Sequence, residues 1–354
     1  MKTLIVPMAG RSSRFPGTRP KWMLTHPKNN RLMVSEAISG LNLDFFDEIL
    51  FIFLGEHQTE YMFFEGFMEE MRELGLYDKC RPTFLAEPTG SQSETVYQAI
   101  KKENIEGFIF IKDSDGYYEC ELTSTNNQVA FFDLNDMDNI NARSKSYITV
   151  DDFGFVTNIV EKKVISSTFS TGGYGFNCAK QFCDTFETIR DMPGECYISH
   201  VIFEMMLGGH FFQGLKTSNY KDWGTKDVWM DYKKTYKTLF CDIDGTLITN
   251  SSLHFPPYIG EGEPIQKNID YLNVLYDGGR THIILTTSRP EKTRQITVDE
   301  LKSKGIKYHQ LIMGLPHSQR IVINDFANSN PYPSCSSINI PRNSDDLKHF
   351  LHTN

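Results

Sequence analysis

The chain has 354 residues, 40% of them apolar and 23% charged, and a formal net charge of −9. This length exceeds one typical domain and suggests two, each able to bury its own core, and the composition excludes disorder as the default state. The acidic balance argues against a general nucleic-acid binder, which would carry a basic stripe, and no run approaches the roughly 18 apolar residues of a membrane span.

The first predicted strand is LIVPM (4–8). It is too short and too soon interrupted for the apolar region of a signal peptide. EILFIFL (48–54), GFIFI (107–111) and SYITV (146–150) follow, then KTLFCDID (237–244), THIILTTS (281–288) and RIVIND (320–325). Longer amphipathic stretches separate these runs, the pattern of an α/β chain. VWMDYKKTYKT (228–238) reads as a charged helix leading into a fresh strand. The expected domains are therefore 1–236 and 237–354, with the boundary near Lys237. SLHFPPYIGEGEP (252–264) reads as a loop of the second domain. Seven cysteines without a CxxC pair or zinc spacing read as reduced thiols, which predicts a cytoplasmic protein.

MAGRSSRF (8–15) turns directly out of the first strand, and Pro20-Lys21 follows. Backbone donors on such a turn, with Arg14 and Lys21 nearby, can neutralise a triphosphate during binding and in-line displacement. The pattern G-x-S-S-R-F…P-K resembles the signature of the sugar-phosphate nucleotidyltransferases, with Ser12 standing where the family usually has a second glycine. The resemblance implies a Rossmann-like, GT-A-like mixed sheet. It assigns Ala9, Gly10, Arg11, Ser12 and Ser13 to the nucleotide and makes Arg14 and Lys21 catalytic. EPTGSQSETV (87–96) resembles the family's nucleobase turn and nominates Glu87, Gly90 and Thr95. FIKDSDGYY places Asp115 as a Mg²⁺ ligand, and KDWGT (221–225) supplies Asp222 as the second. VEKK and TGGYGFN nominate Glu161, Lys162, Gly173 and Asn177 for the acceptor, and GECYISHVI resembles a closing element.

CDIDGTL (241–247) ends a strand in D-x-D-G-T and resembles the haloacid dehalogenase superfamily. The resemblance implies that Asp242 is a nucleophile toward phosphorus and Asp244 the general acid and base, both counted with Asp325 among the Mg²⁺ ligands. Thr287 would orient the phosphoryl group. Where some relatives carry lysine this chain has Leu315, so Arg320 is the nominated cation. His282 and His317 have no partner in sequence and read as core or surface residues. The stretch between Asp244 and Thr287 is too short for a large cap, so this domain is expected to be small and uncapped.

Together these features predict a bifunctional, Mg²⁺-using enzyme of surface-glycan precursor synthesis. One domain would join a nucleotide, with a lean to CTP or GTP, to a sugar 1-phosphate or similar phosphorylated alcohol. The other would hydrolyse a phosphomonoester. The expected partners are these small molecules and a further copy of the chain, not nucleic acid or membrane. Two alternatives stay open on sequence: a glycosyltransferase using Asp113 and Asp115 as its D-x-D, and a non-catalytic nucleotide-binding scaffold.

Overall fold

Strict alternation within fully apolar runs sets the architecture. In EILFIFL, Leu50, Ile52 and Leu54 point to one core while Ile49, Phe51 and Phe53 point to another, and all six are at most 1% exposed. A strand buried on both faces must be covered by helices on both sides, as in sheets with parallel strands. Burying each of these side chains contributes about 1.5–3 kcal/mol. The structure, a computed structural model, describes residues 1–136, 145–327 and 330–352. It divides into two compact units, Met1–Trp229 and Met230–Asn354.

The strands of the first unit are β1 (Lys2–Pro7), β2 (Glu48–Leu54), β3 (Cys80–Leu85), β4 (Phe108–Lys112), β5 (Gly116–Glu119), β6 (Gln128–Asp133), β7 (Ser146–Val150), β8 (Val156–Glu161), β9 (Thr168–Phe176), β10 (Gln213–Lys216) and β11 (Ser218–Asp222). Nine form a mixed sheet with the order β10-β6-β9-β4-β1-β2-β3, and β7 and β8 extend it beside β9. β1 to β4 run parallel, whereas β9 is antiparallel to both β4 and β6. β5 and β11 pair separately. Val96, Ala99 and Ile100, spaced for one helical face, pack the helix Gln92–Glu103 onto the sheet. Ser91 caps it by accepting from the Glu94 N–H, and Asn104 ends it in a left-handed conformation.

In the second unit β12 (Lys237–Asp242), β13 (Thr281–Thr286) and β14 (Gln310–Ile312) form a parallel sheet in that order. Asp242 pairs with Thr286, so both strands end at one level. Ile243, Leu247, Ile269, Leu272, Leu285 and Leu301 fill the core beneath.

Two expectations are corrected. The helix spans Lys226–Lys234 rather than 228–238, because Lys237 already donates its N–H to Arg280 at the start of the β12–β13 ladder. RIVIND joins no ladder among the described residues, and Ile321, Val322 and Ile323 are 76, 56 and 93% exposed. Residue type alone does not make a strand; its backbone needs a paired edge. Here β13 takes β14 instead.

Candidate functional site

In the first unit β1 delivers the chain into a cleft of about 960 Å³ lined by Ala9 to Phe15, Lys21, Pro88 to Gln92, Asp113, Asp115, Lys145, Glu161, Lys162 and Asp222, among others. Gly10 leaves open space where a Cβ would stand. Ser12 adopts a left-handed φ of 50°, the conformation that a glycine takes without cost. Its Oγ accepts the Lys21 N–H at 3.0 Å, and its carbonyl accepts from Phe15 at 2.8 Å. The serine thus ties the turn to the lysine. Arg14 extends into solvent with its side chain 57% exposed, which leaves its guanidinium donors available to a ligand.

β4 carries the carboxylates. Lys112, fully buried at its end, donates to the carbonyls of Asp113 (2.8 Å) and Gly116 (2.6 Å) and sits under the Tyr118 ring. Burial pushes its ammonium down to a pKa of about 8. This lysine fixes the turn that presents Asp113 and Asp115. Asp113 accepts from Gln92 at 2.5 Å and lies over Gly172. Burial, then the neighbouring Asp115 charge, raises its carboxyl. Burial also acts to raise Asp115, but the ion pair with Lys21, aided by Arg14 and Lys145, overrides it and holds Asp115 well below the usual carboxylate range. Two adjacent carboxyls are therefore driven apart.

Asp222 closes the arrangement from β11. It pairs with Lys145 at 2.6 Å and accepts the Gly224 N–H at 2.9 Å. A Cβ at Gly224 would lie 3.1 Å from Asp222 Oδ1 and 3.5 Å from Asp115 Oδ2, so the two carboxylates converge on the space this glycine leaves. Among the described residues no group of three or more His, Cys, Asp or Glu converges for metal binding. Two carboxylates with room for phosphate oxygens nevertheless suit Mg²⁺, which keeps waters and substrate oxygens in its shell. The donors fit that ion.

On the facing wall Glu161, at the end of β8, accepts from Ser146 and from Ser199 (2.8 Å). Lys162 reaches Tyr197. Thr95 lines the cleft, although its hydroxyl is engaged by Thr89 and the Ser91 carbonyl. Three nominated residues are not among those lining the cleft. Glu87 is exposed outside it. Gly173 faces packing, since a Cβ there would collide with Tyr118 and Ala130. Asn177 is exposed beyond the far end of β9, because the antiparallel register sets Gly173 beside Lys112 but Phe176 beside Ile109. The sequence reading missed Lys112, Lys145, Gln92 and Tyr197. Lys145 sits just before a strand, where nothing local marks it, whereas a lysine closing the apolar run FIFI was a visible signal.

In the second unit Asp242 ends β12, 3.3 Å from Arg320 Nη1. Burial pushes its carboxyl up, against the pull of Arg320. Both oxygens of Asp244 are engaged: Oδ2 accepts from Arg289 Nε (2.9 Å) and Thr287 Oγ1 (3.2 Å), and Oδ1 from Arg289 Nη2 and Ser251 Oγ (both 2.8 Å). Asp325 lies on the exposed irregular segment, so Asp242, Asp244 and Asp325 do not converge as the expected Mg²⁺ set. The carboxylates here do not fit that role. Leu315 donates its N–H to the Thr287 carbonyl and so packs the loop after β14 against the site. Arg289 and Glu300 were missed, although Arg289 directly follows the run THIILTTS.

No protein-family model and no curated protein matches the chain. Among solved structures it is similar to a nucleoside-diphosphate-sugar pyrophosphorylase from Vibrio cholerae RC9, with 21% identity over 65% of this chain and 99% of that one, at a TM-score of 0.53. It is also similar to the inositol-1-phosphate CTP transferase of T. maritima (12% identity, 64% of this chain and 91% of that one, TM-score 0.52). A UDP-glucose pyrophosphorylase complexed with UDP-glucose is a third (13% identity, 66% and 97%, TM-score 0.51). The shared fold covers a portion the size of the first unit and is a mixed α/β sheet.

Proposed function

We propose that the first unit transfers a nucleotidyl group from a nucleoside triphosphate to a phosphorylated sugar or similar alcohol and releases pyrophosphate. The observation that carries this is the cleft itself, where the turn Gly10–Arg14, Lys21 and the converging pair Asp115 and Asp222 line one cavity. Similarity in fold to pyrophosphorylases and a CTP transferase supports the same reaction class. An acceptor phosphate oxygen attacks the α-phosphorus, and the bond to the bridging β-phosphate oxygen breaks. Arg14 and Lys21 offset the repulsion between the two anions and the charge on the leaving pyrophosphate. Asp115 and Asp222 would hold Mg²⁺, which when bound would supply positive charge beside the α-phosphate. Lys162 and Tyr197, with Glu161 held between two serines, offer a cation, a hydroxyl and an acceptor for a sugar phosphate. No side-chain nucleophile is needed.

For the second unit we propose phosphomonoester hydrolysis, with Asp242 as nucleophile, Asp244 as acid and base, and Arg320 as the cation facing the phosphoryl oxygens. Two such units in one chain fit successive steps toward an activated sugar, the pairing expected of surface-glycan precursors.

The test uses a property of the sequence. Trp22, Trp223 and Trp229 are the only tryptophans and all lie in the first unit, so tryptophan fluorescence reports its unfolding alone. One nucleoside triphosphate with Mg²⁺, at about a hundred times its dissociation constant, is expected to stabilise this transition by about 2.7 kcal/mol. A transition unmoved by ATP, CTP, GTP, UTP and dTTP would overturn the proposal.

A further inference from the structure

Lys145, the residue before β7, is a cation of the first cleft that no motif marks. Its carbonyl accepts the Lys162 N–H at 3.0 Å, which ties its backbone to the wall that carries Glu161 and Lys162. Its side chain is 11% exposed and lies against Tyr220 and Phe169, with Nζ 5.2 and 5.9 Å from the ring centroids. Nζ donates at 2.6 Å to Asp222 Oδ2 and at 2.6 Å to Tyr220 Oη. An ammonium carries three hydrogens, and the third meets no oxygen or nitrogen acceptor among the described residues.

The same arrangement recurs at the other carboxylate. Lys21 pairs with Asp115 as Lys145 pairs with Asp222, and Arg14 stands 3.9 Å from Asp115. With Asp113, three carboxylates of the cleft face three cations. The protein's own charges around the converging pair therefore balance before any ligand is counted. Affinity for a hard divalent ion follows the charge of its ligands, and such an ion would approach Asp222 against the ammonium already on Oδ2. A triphosphate brings the negative charge that this balance lacks.

We infer that Lys145 makes the first cleft a site for the anion before the metal: it withholds Asp222 from a divalent ion that arrives without nucleotide, and it offers its remaining hydrogen to a phosphate oxygen. Metal and nucleotide then enter as one complex, with the Lys145–Asp222 pair as the contact that is exchanged. A lysine suits an exchangeable pair. Its point charge on a flexible stem bonds one carboxylate oxygen, where an arginine fork could clamp both. Asp222 Oδ1, held by the Gly224 N–H, stays turned toward the space it shares with Asp115. The inference rests on the nucleotidyl-transfer reading of the first unit.

The experiment measures binding without turnover. Mn²⁺ in the absence of nucleotide, and each of ATP, CTP, GTP, UTP and dTTP in EDTA, are titrated by their stabilisation of the tryptophan-reported transition, which follows the first unit alone. In the parent one triphosphate is expected to raise this transition even in EDTA. Lys145→Gln keeps a donor for Tyr220 and removes the charge. It is expected to bind Mn²⁺ about tenfold tighter than the parent, and the metal-free triphosphate about threefold weaker or worse. Lys145→Arg, which keeps the charge, is expected to bind Mn²⁺ no tighter than the parent. A loosened fold would weaken both ligands, so changes of opposite sign separate this role from a structural one. Mn²⁺ affinity unchanged or lowered in the glutamine variant would overturn the inference and leave nucleotide binding intact. If that variant does not fold, a parent chain that takes the triphosphate only with metal overturns it equally. A parent that binds no triphosphate, with or without Mg²⁺, would overturn the nucleotidyl-transfer reading itself and the inference with it.

Discussion

Each unit places two kinds of cation around its carboxylates, and they differ in what their donors have left. In the first unit the buried Lys112 is spent on two backbone carbonyls, and the more exposed Lys21 and Arg14 face Asp115. In the second the buried Arg289 is spent on side chains, two of them carboxylates, and Arg320 faces Asp242. A lysine can hold a turn through its carbonyls, whereas orienting a carboxyl group takes the planar fork of arginine. The lesson is that a saturated cation shapes a site and an unsaturated one serves it.

The sharpest break between the two units should come from Asp242→Asn. Hydrolysis of p-nitrophenyl phosphate is expected to fall by about 10³-fold or more, while nucleotide stabilisation of the tryptophan-reported transition stays unchanged. Loss of both would mean that the units do not act separately. Next in size is Lys21→Ala, expected to lower pyrophosphate release about 10²- to 10³-fold with the aryl phosphatase rate intact. Release at the parent rate would remove Lys21 from the chemistry and move it into the scaffold with Lys112.

Lys112→Met tests the spent cation directly. It leaves two buried carbonyls without their donor and should destabilise the first unit by about 1–3 kcal/mol at pH 7. The sign of the pH dependence is defined. Burial lowers Lys112 to about 8 in the fold against 10.5 when free, so between these values the unfolded chain binds the proton more tightly. Stability of the first unit should therefore rise with pH across that window in the parent and not in the variant. Urea titrations followed by tryptophan fluorescence at pH 7 and pH 10 measure this difference, and parallel pH profiles would refute it. The smallest effect belongs to Ser12→Gly. Relief of the left-handed serine, about 1 kcal/mol, is opposed by loss of its bond to Lys21, also about 1 kcal/mol. A midpoint within a few degrees of the parent is expected, and a larger drop would show the Ser12–Lys21 tie to dominate the turn.

The sheet's central strands were legible because LIVP, ILFIFL and FIFI are apolar at every position, which only a doubly covered strand tolerates. β9 was not, since TFSTGGYGF takes its glycines from close packing under Asp113 and Tyr118 rather than from a turn. RIVIND misled for the opposite reason: it has strand-forming residues without an edge to pair with. In the first site, motif order brought the turn at Gly10 together with Lys21, Asp115 and Asp222. The same reasoning carried Gly173 and Asn177 along as one unit, although a strand moves residues about 3.3 Å apart per step and takes the second away from the cleft.

What the sequence determined alone is therefore the alternation of buried faces and the local chemistry of its motifs: a basic turn after β1, carboxylates after β4, D-x-D-G-T after β12. These depend on neighbours within a few residues. Which cation meets which carboxylate was decided only by the tertiary structure. Lys21 lies 94 residues from Asp115, Lys145 lies 77 from Asp222 and Arg289 lies 45 from Asp244, so each pairing is set by sheet order and register. Charge complementarity reads the same for every pair of opposite sign in a sequence. Packing selects among them, because a buried ion persists only where the fold brings its partner within hydrogen-bonding reach.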